Sequence, residues 1–88
     1  MLDRVASRFH ILGEPYRLRI LQVMRRGEMS VSEIVGALDG NQPNISRHLQ
    51  LLYQAGIVAR RRERNKVFYS LKWTTALTLC DLVHQSLT

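Results

Sequence analysis

The chain has 88 residues, room for one small domain and not for two, and its 45% hydrophobic content argues against a disordered chain. A net charge of +6 and a pI of about 10.5 suit a polyanionic partner, while no apolar run is long enough to span a membrane. Cys80 is the sole cysteine, which excludes an intrachain disulfide; a cytoplasmic protein is expected.

The opening MLDRVASRFHILG mixes Asp3, Arg4 and Arg8 into its apolar pattern and so does not read as a secretory signal. Val5, Ala6, Phe9 and Leu12 recur at helical spacing, predicting a first helix over 3–13 that stops at Gly13. Pro15 suits the first turn of a second helix, whose stripe is Tyr16, Ile20, Val23 and Met24, ending at Gly27. Leu18 and Leu21 lie off that stripe, so burial on more than one side is expected. Ser30 and Glu33 form an S-x-x-E capping box for a short third helix. Its apolar face is Val31, Ile34, Val35 and Leu38, and Asp39-Gly40 breaks it. Asn41 is a good N-cap for a fourth helix with Pro43 in its first turn, Ile45, Leu49 and Leu52 toward the core, and Gly56 as a left-handed stop.

After Gly56 the texture changes. IVARRR and KVFYSL are β-prone runs separated by Glu63-Arg64-Asn65, the pattern of a hairpin. The turn has no glycine, so Asn65 is expected at the positive-φ position. From Trp73 onward Ala76, Cys80, Val83 and Leu87 restore a helical stripe over 73–87. The expected fold is mainly α with a small β-hairpin, in the order helix, helix, helix, helix, strand, strand, helix: a winged helix-turn-helix, dimeric. It is read as a single domain over 1–88, with the helix-turn-helix at 30–56 and the wing at 57–71.

A short helix, a tight break and a second helix match the helix-turn-helix pattern, in which the second helix enters the major groove with its N-terminal residues at base edges. At about 100° per residue, Pro43, Ser46, Arg47, Gln50 and Gln54 fall opposite the buried Ile45/Leu49/Leu52 side, with Gln42 and Asn44 in the exposed first turn. Asn and Gln suit adenine, Arg suits guanine, and Ser serves base or phosphate. An ordinary amphipathic helix would also turn polar side chains to water. The following segment decides between these: residues 60–72 carry Arg60, Arg61, Arg62, Arg64, Lys66 and Lys72 against Glu63 alone. A cationic hairpin beside such a helix can grip the flanking phosphates without reading sequence. The expected DNA-binding set is therefore Gln42, Asn44, Ser46, Arg47 and Gln50 with Arg60, Arg61, Arg62, Arg64 and Lys66, although strand alternation turns some of these arginines away. Two other readings stay open: a winged-helix module docking an acidic protein, and a sequence-blind nucleic-acid binder.

The run LGEPYRLRILQVMRRGEMSVSEIV and the following NQPNISRHLQLLYQAGIVARRRERNKVFYSL resemble the ArsR/SmtB family of bacterial winged-helix repressors over about residues 9–71. The resemblance implies a homodimer built from the first and last helices, a recognition helix at 42–55 and a wing at 58–71. It also implies repression through an inverted-repeat operator in double-stranded DNA, with release by an inducer that the sequence does not identify. The last helix supports the dimer independently, because Leu77, Leu79 and Leu82 widen its apolar arc beyond what one small core needs.

Many members of that family sense metals through cysteines at the start of the third helix. The matching segment here is EMSVSEI, with Ser30 and Ser32 at those positions, and a neutral hydroxyl does not replace a thiolate for a soft metal. The family's other common site uses Asp-x-His on the last helix; Asp81-Leu-Val-His84 has a different spacing. Cys80, Asp81 and His84 nonetheless lie within one helical turn and are the candidate metal ligands, most simply across a two-fold axis. A lone cysteine on an apolar stripe is more often core, and Cys80 has neither a resolving cysteine nor a basic sequence neighbour. No metal or other cofactor is expected. No glycine-rich phosphate loop, acid pair or nucleophile–base set is present, so no enzymatic activity is expected either.

Overall fold

The computed structural model describes residues 1–88. Its elements are α1 (Leu2–Leu12), α2 (Pro15–Val23), β1 (Met29–Ser30), α3 (Val31–Leu38), α4 (Gln42–Gln54), β2 (Val58–Glu63), β3 (Lys66–Leu71) and α5 (Thr75–Ser86). The helix starts follow from local chemistry. Glu14 accepts from the Tyr16 N–H at 3.1 Å to cap α2, with Pro15 in its first turn. The capping box of α3 is reciprocal: Ser30 Oγ accepts from the Glu33 N–H at 3.1 Å, and a Glu33 carboxylate oxygen accepts from the Ser30 N–H at 2.8 Å. That backbone donation, helped by the Ser30 hydroxyl, holds the Glu33 carboxyl below its ordinary value. Asn41 Oδ1 accepts from the Asn44 N–H at 3.0 Å and starts α4.

The end of α4 is equally determined. Gly56 takes φ 77°, its N–H bonds Tyr53 O at 3.0 Å, and the Ile57 N–H reaches back to Leu52 O at 2.9 Å. This is a Schellman ending, and it drops the buried Ile57 into the core beside Leu52 before β2 begins. Gly40 serves a different need. A Cβ there would overlap Tyr16 Oη and sit 2.6 Å from Ile45 Cδ1, so a larger residue would make these side chains shift where α2 and α4 close over the break. The left-handed residue at that break is Asp39, at φ 50°.

Two features differ from the sequence expectation. Glu63 belongs to β2 and pairs with Lys66, leaving a two-residue turn, Arg64-Asn65. The positive φ (57°) falls on Arg64, the first turn residue, and not on Asn65. Two-residue hairpin loops favour primed turns, which place positive φ at that first position. The second feature is β1, which pairs antiparallel with β3 (Met29 with Tyr69, Ser30 with Phe68) and makes a three-stranded sheet in the order β1-β3-β2. Two residues are too few for any periodicity to reveal.

The core draws its fully buried side chains from most elements: Ile20, Leu21 and Met24 from α2 and its C-cap, Ile34 from α3, Ile45, Leu49 and Leu52 from α4, then Ile57 and Val58. Burial of each such side chain contributes about 1.5–3 kcal/mol, and α2 is buried on two sides as its pattern implied. The outer helices are different. In α1 only Leu12 is buried, while Val5 and Phe9 are 43% and 57% exposed. In α5 the stripe reaches the core only at Ala76; Val83 and Leu87 are 57% and 77% exposed. Trp73 precedes α5 and does not begin it, and the Arg8 guanidinium lies over its ring at 4.5 Å.

Candidate nucleic-acid interface

Helix α4 carries the amide-rich start of the motif. Gln42, Arg47 and Gln50 are exposed, and Asn44 and Ser46 are half-buried. Arg47 Nη2 donates to Asn44 Oδ1 at 3.1 Å, so these two side chains are joined into one hydrogen-bonding surface at the helix start. The remaining guanidinium donors and the Asn44 amide hydrogens make no other side-chain hydrogen bond within the chain.

The helix is held by a brace that sequence reasoning missed. His48, half-buried on α4, accepts from Arg17 Nε at 3.2 Å through Nδ1, and its Nε2 lies 3.6 Å from Glu14 Oε2. Arg17 also donates to Ile11 O at 3.2 Å, and the Tyr16 and His48 rings are 5.5 Å apart. His48 and Arg17 are 31 residues apart, and no local pattern announces such a pair.

The wing sorts its arginines by strand alternation. Arg60 and Arg62 share a face with buried Val58, and Arg61 and Glu63 take the other. Arg60 stacks over Tyr53 of α4 at 4.2 Å, fastening the wing to the helix. Arg61 makes a bidentate pair with Glu28, at 3.0 and 2.7 Å, approaches Glu63 at 3.3 Å and covers the Phe68 ring at 4.6 Å. Hydrogen bonding to Glu28 and Glu63 raises the Arg61 pKa, and the same bond from Arg61 lowers that of Glu28. Arg61 is therefore engaged with acidic and aromatic neighbours within the fold while remaining partly open to solvent. Arg62, Arg64 and Lys66 are exposed and take part in none of the ion pairs.

On α5 two of the three candidate metal ligands are bonded to α2 or the residues just after it. Cys80 Sγ accepts from Gln22 Nε2 at 3.4 Å, and Asp81 is held by Arg25 at 2.9 and 3.2 Å. That bond raises the Arg25 pKa. Arg25, remote in sequence, is thus brought beside Cys80 and Asp81, while His84 is exposed one turn on. No group of three or more His, Cys, Asp or Glu side chains gathers in a metal-holding arrangement within the chain.

A capped recognition helix braced from behind, with a hairpin whose tip keeps its cations free, defines a winged helix-turn-helix DNA-binding regulator. Residues 14–60 match the family model described as bacterial regulatory protein, arsR family. The biofilm growth-associated repressor of Agrobacterium fabrum is 38% identical over 80 residues, covering 91% of this chain and 68% of that protein. The crystal structure of the transcriptional repressor BigR from Xylella fastidiosa superposes with a TM-score of 0.88 at 30% identity, covering 99% of this chain and 89% of that one. A homodimeric winged helix-turn-helix DNA-binding domain from Mycobacterium bovis, described as a possible ArsR-family regulator, gives a TM-score of 0.83 at 33% identity over 97% of this chain and 79% of that one. The chain belongs to the ArsR family: it is a DNA-binding transcriptional regulator and not an enzyme. No helix is long and apolar enough to cross a membrane.

Proposed function

We propose that the chain acts in the cytoplasm as a homodimeric repressor that binds an inverted repeat in double-stranded operator DNA and leaves it when an inducer binds. The observation that carries this reading is that the start of α4, where Asn44 and Arg47 are bonded, shares a cleft with Asn65 and Lys66 at the tip of a wing whose Arg62 and Arg64 are also unpaired. Two recognition helices related by a dimer axis would enter successive major grooves about one helical turn apart. Asn44, Arg47 and Gln50 would face base edges, joined by Gln42 and Ser46 at the helix start. Arg62, Arg64 and Lys66 would meet phosphates or the minor groove, with Arg60 positioned by Tyr53 at the wing base.

The dimer reading is supported by the apolar surface left on α1 and α5, the dimerisation helices assigned to 3–13 and 73–87. Val5, Phe9, Leu82, Val83 and Leu87 are exposed there, and Phe9, Val83 and Leu87 line an open groove of about 410 Å3 together with Leu12, Leu18 and Leu79. The test is a gel-shift titration on the DNA upstream of the gene, beside a random duplex of equal length. Arg47→Ala should lower affinity for the upstream DNA more than for the random duplex, whereas Arg62→Ala and Arg64→Ala should weaken both alike. Equal losses from all three variants would overturn the division between reading and anchoring. Strong salt-sensitive binding to an acidic protein with no preference among duplexes would favour the docking module instead.

A further inference from the structure

The start of α3, the first turns of α4 and the wing turn surround a polar cleft of about 210 Å3. Its lining includes Ser32, Gln42, Ser46, Asn65 and Lys66, and no carboxylate is among the lining side chains. The nearest acid on α3, Glu33, is engaged by the N–H of Ser30, itself a lining residue, at 2.8 Å, and it feels the Lys66 charge without forming an ion pair with it. Hydroxyls, amides and one ammonium are neutral or cationic hydrogen-bond donors, and Lys66 has no ion-pair partner in the chain. Hard oxygen-rich anions are the ligands that such a donor set fits, and soft metals are not. The cleft lies between the base-reading end of α4 and the wing, where a backbone strand leaving the major groove would pass.

From this arrangement we infer that the cleft is a seat for one phosphate group, held by Lys66 from the wing and by Ser46, Gln42 and Ser32 from the helix-turn-helix. This rests on the DNA-binding reading above and sharpens it. Gln42 and Ser46 become phosphate ligands, and base discrimination falls to Asn44, Arg47 and Gln50. The seat also gives the wing and the helix-turn-helix a common ligand. A phosphate bound there adds a polar tie between α4 and the wing beside the Arg60–Tyr53 stack.

The phosphate has two possible sources, the DNA backbone and a free phosphate or phosphomonoester, and one set of measurements separates them. Duplex affinity is measured by fluorescence anisotropy on a labelled 30-base-pair duplex for the full chain and for Lys66→Gln, Ser46→Ala and the double variant. Sharing one phosphate makes the two losses non-additive, with a coupling of about two- to threefold or more. Lys66 is exposed and Ser46 half-buried, so neither substitution removes a core side chain, and circular dichroism checks the fold of each variant. In parallel, backbone amide spectra of the wild-type chain are recorded with inorganic phosphate, at constant ionic strength, with chloride as the control. Coupling on the duplex, with no amide shifts from inorganic phosphate, assigns the seat to the DNA backbone. Shifts at Ser32, Ser46 and Lys66 with inorganic phosphate, accompanied by weaker duplex binding, assign it to a free oxyanion. Additive losses on a duplex that binds, with no such shifts, overturn the seat and leave the DNA reading intact. If the wild-type chain binds no duplex, the DNA reading itself fails, and the phosphate-induced shifts then decide the seat by their presence or absence.

Discussion

Arg61 and Arg62 are neighbours in one arginine run, and the fold assigns them opposite tasks. Arg61 is held by Glu28 at 2.7 Å and stacked on Phe68, while Arg62 is exposed without an acidic partner. Replacing each with glutamine therefore removes the same formal charge but should have unequal consequences. Each phosphate contact contributes about −0.9 to the slope of log affinity against log salt. In a dimer Arg62→Gln deletes two contacts, so the slope should become shallower by about 1.8. Between about 50 and about 200 mM salt that difference amounts to roughly a twelvefold smaller loss of affinity than wild type shows. Arg61→Gln should leave the slope close to wild type, because its guanidinium is already neutralised by Glu28 and Glu63. Anisotropy titrations of a random duplex at four salt concentrations measure both slopes. Equal flattening by the two variants would refute the distinction between a paired and a free arginine.

Arg64→Gly should raise stability by about 1 kcal/mol in urea unfolding, since glycine adopts the left-handed turn conformation without the Cβ penalty that arginine bears; Arg64→Ala should bring no such gain, and a gain of equal size would show that the strain is absent. Gly40→Ala should cost about 1–3 kcal/mol, because the new methyl meets Tyr16 and Ile45 where α2 closes on α4; an unchanged unfolding midpoint would show that the break has room. Acid should weaken the fold through Glu33 and Glu28, both of whose carboxyls are depressed from the ordinary value of 4.5. Depressed folded-state values mean that the stabilisation is fully present above about pH 4.5 and is lost as pH falls through the lower folded values. Glu33→Gln should then show a shallower decline of stability between about pH 5 and pH 2, and an unaltered profile would exclude the capping box as a source of the acid sensitivity.

How much of this was legible in the sequence depends on how local each feature is. The capping box of α3, the Asn41 cap and the Gly56 stop are written in adjacent residues, and each forms as expected because its partners are no more than a few positions apart. The two-sided burial of α2 was readable for the same reason: Leu21 sits off the main stripe within one turn of Ile20 and Met24. Residue preference points to Asn65 for the positive φ, but register decides it: pairing of Glu63 with Lys66 places Arg64 first in a two-residue loop. β1 and the Glu14–His48–Arg17 brace were illegible, since pairing Met29 with Tyr69 or His48 with Arg17 depends on how distant segments meet. On α5 the apolar stripe was real, but a repeating pattern does not say which neighbour covers it; beyond Ala76 the chain's own core does not.

Net charge was the first sign of a polyanionic partner, and the structure shows why a count of cations overstates the interface. Several arginines are engaged within the fold: Arg8 on the Trp73 ring, Arg17 on His48, Arg25 on Asp81 and Arg61 on Glu28. Two of these flank the body of α2: Arg17 in its first turn reaches α4, and Arg25, just past its C-cap, reaches α5, where Gln22 of α2 also meets Cys80. α2 is thereby bonded through polar side chains both to the helix that would read DNA and to the helix that would form the dimer. The basic side chains left without partners at the wing, Arg62, Arg64 and Lys66, stand close together at the hairpin tip. A random scatter of solvated surface charge would not leave its unpaired members gathered beside an amide-rich helix start. It is this sorting, more than the total of +6, that makes the charge an argument for DNA.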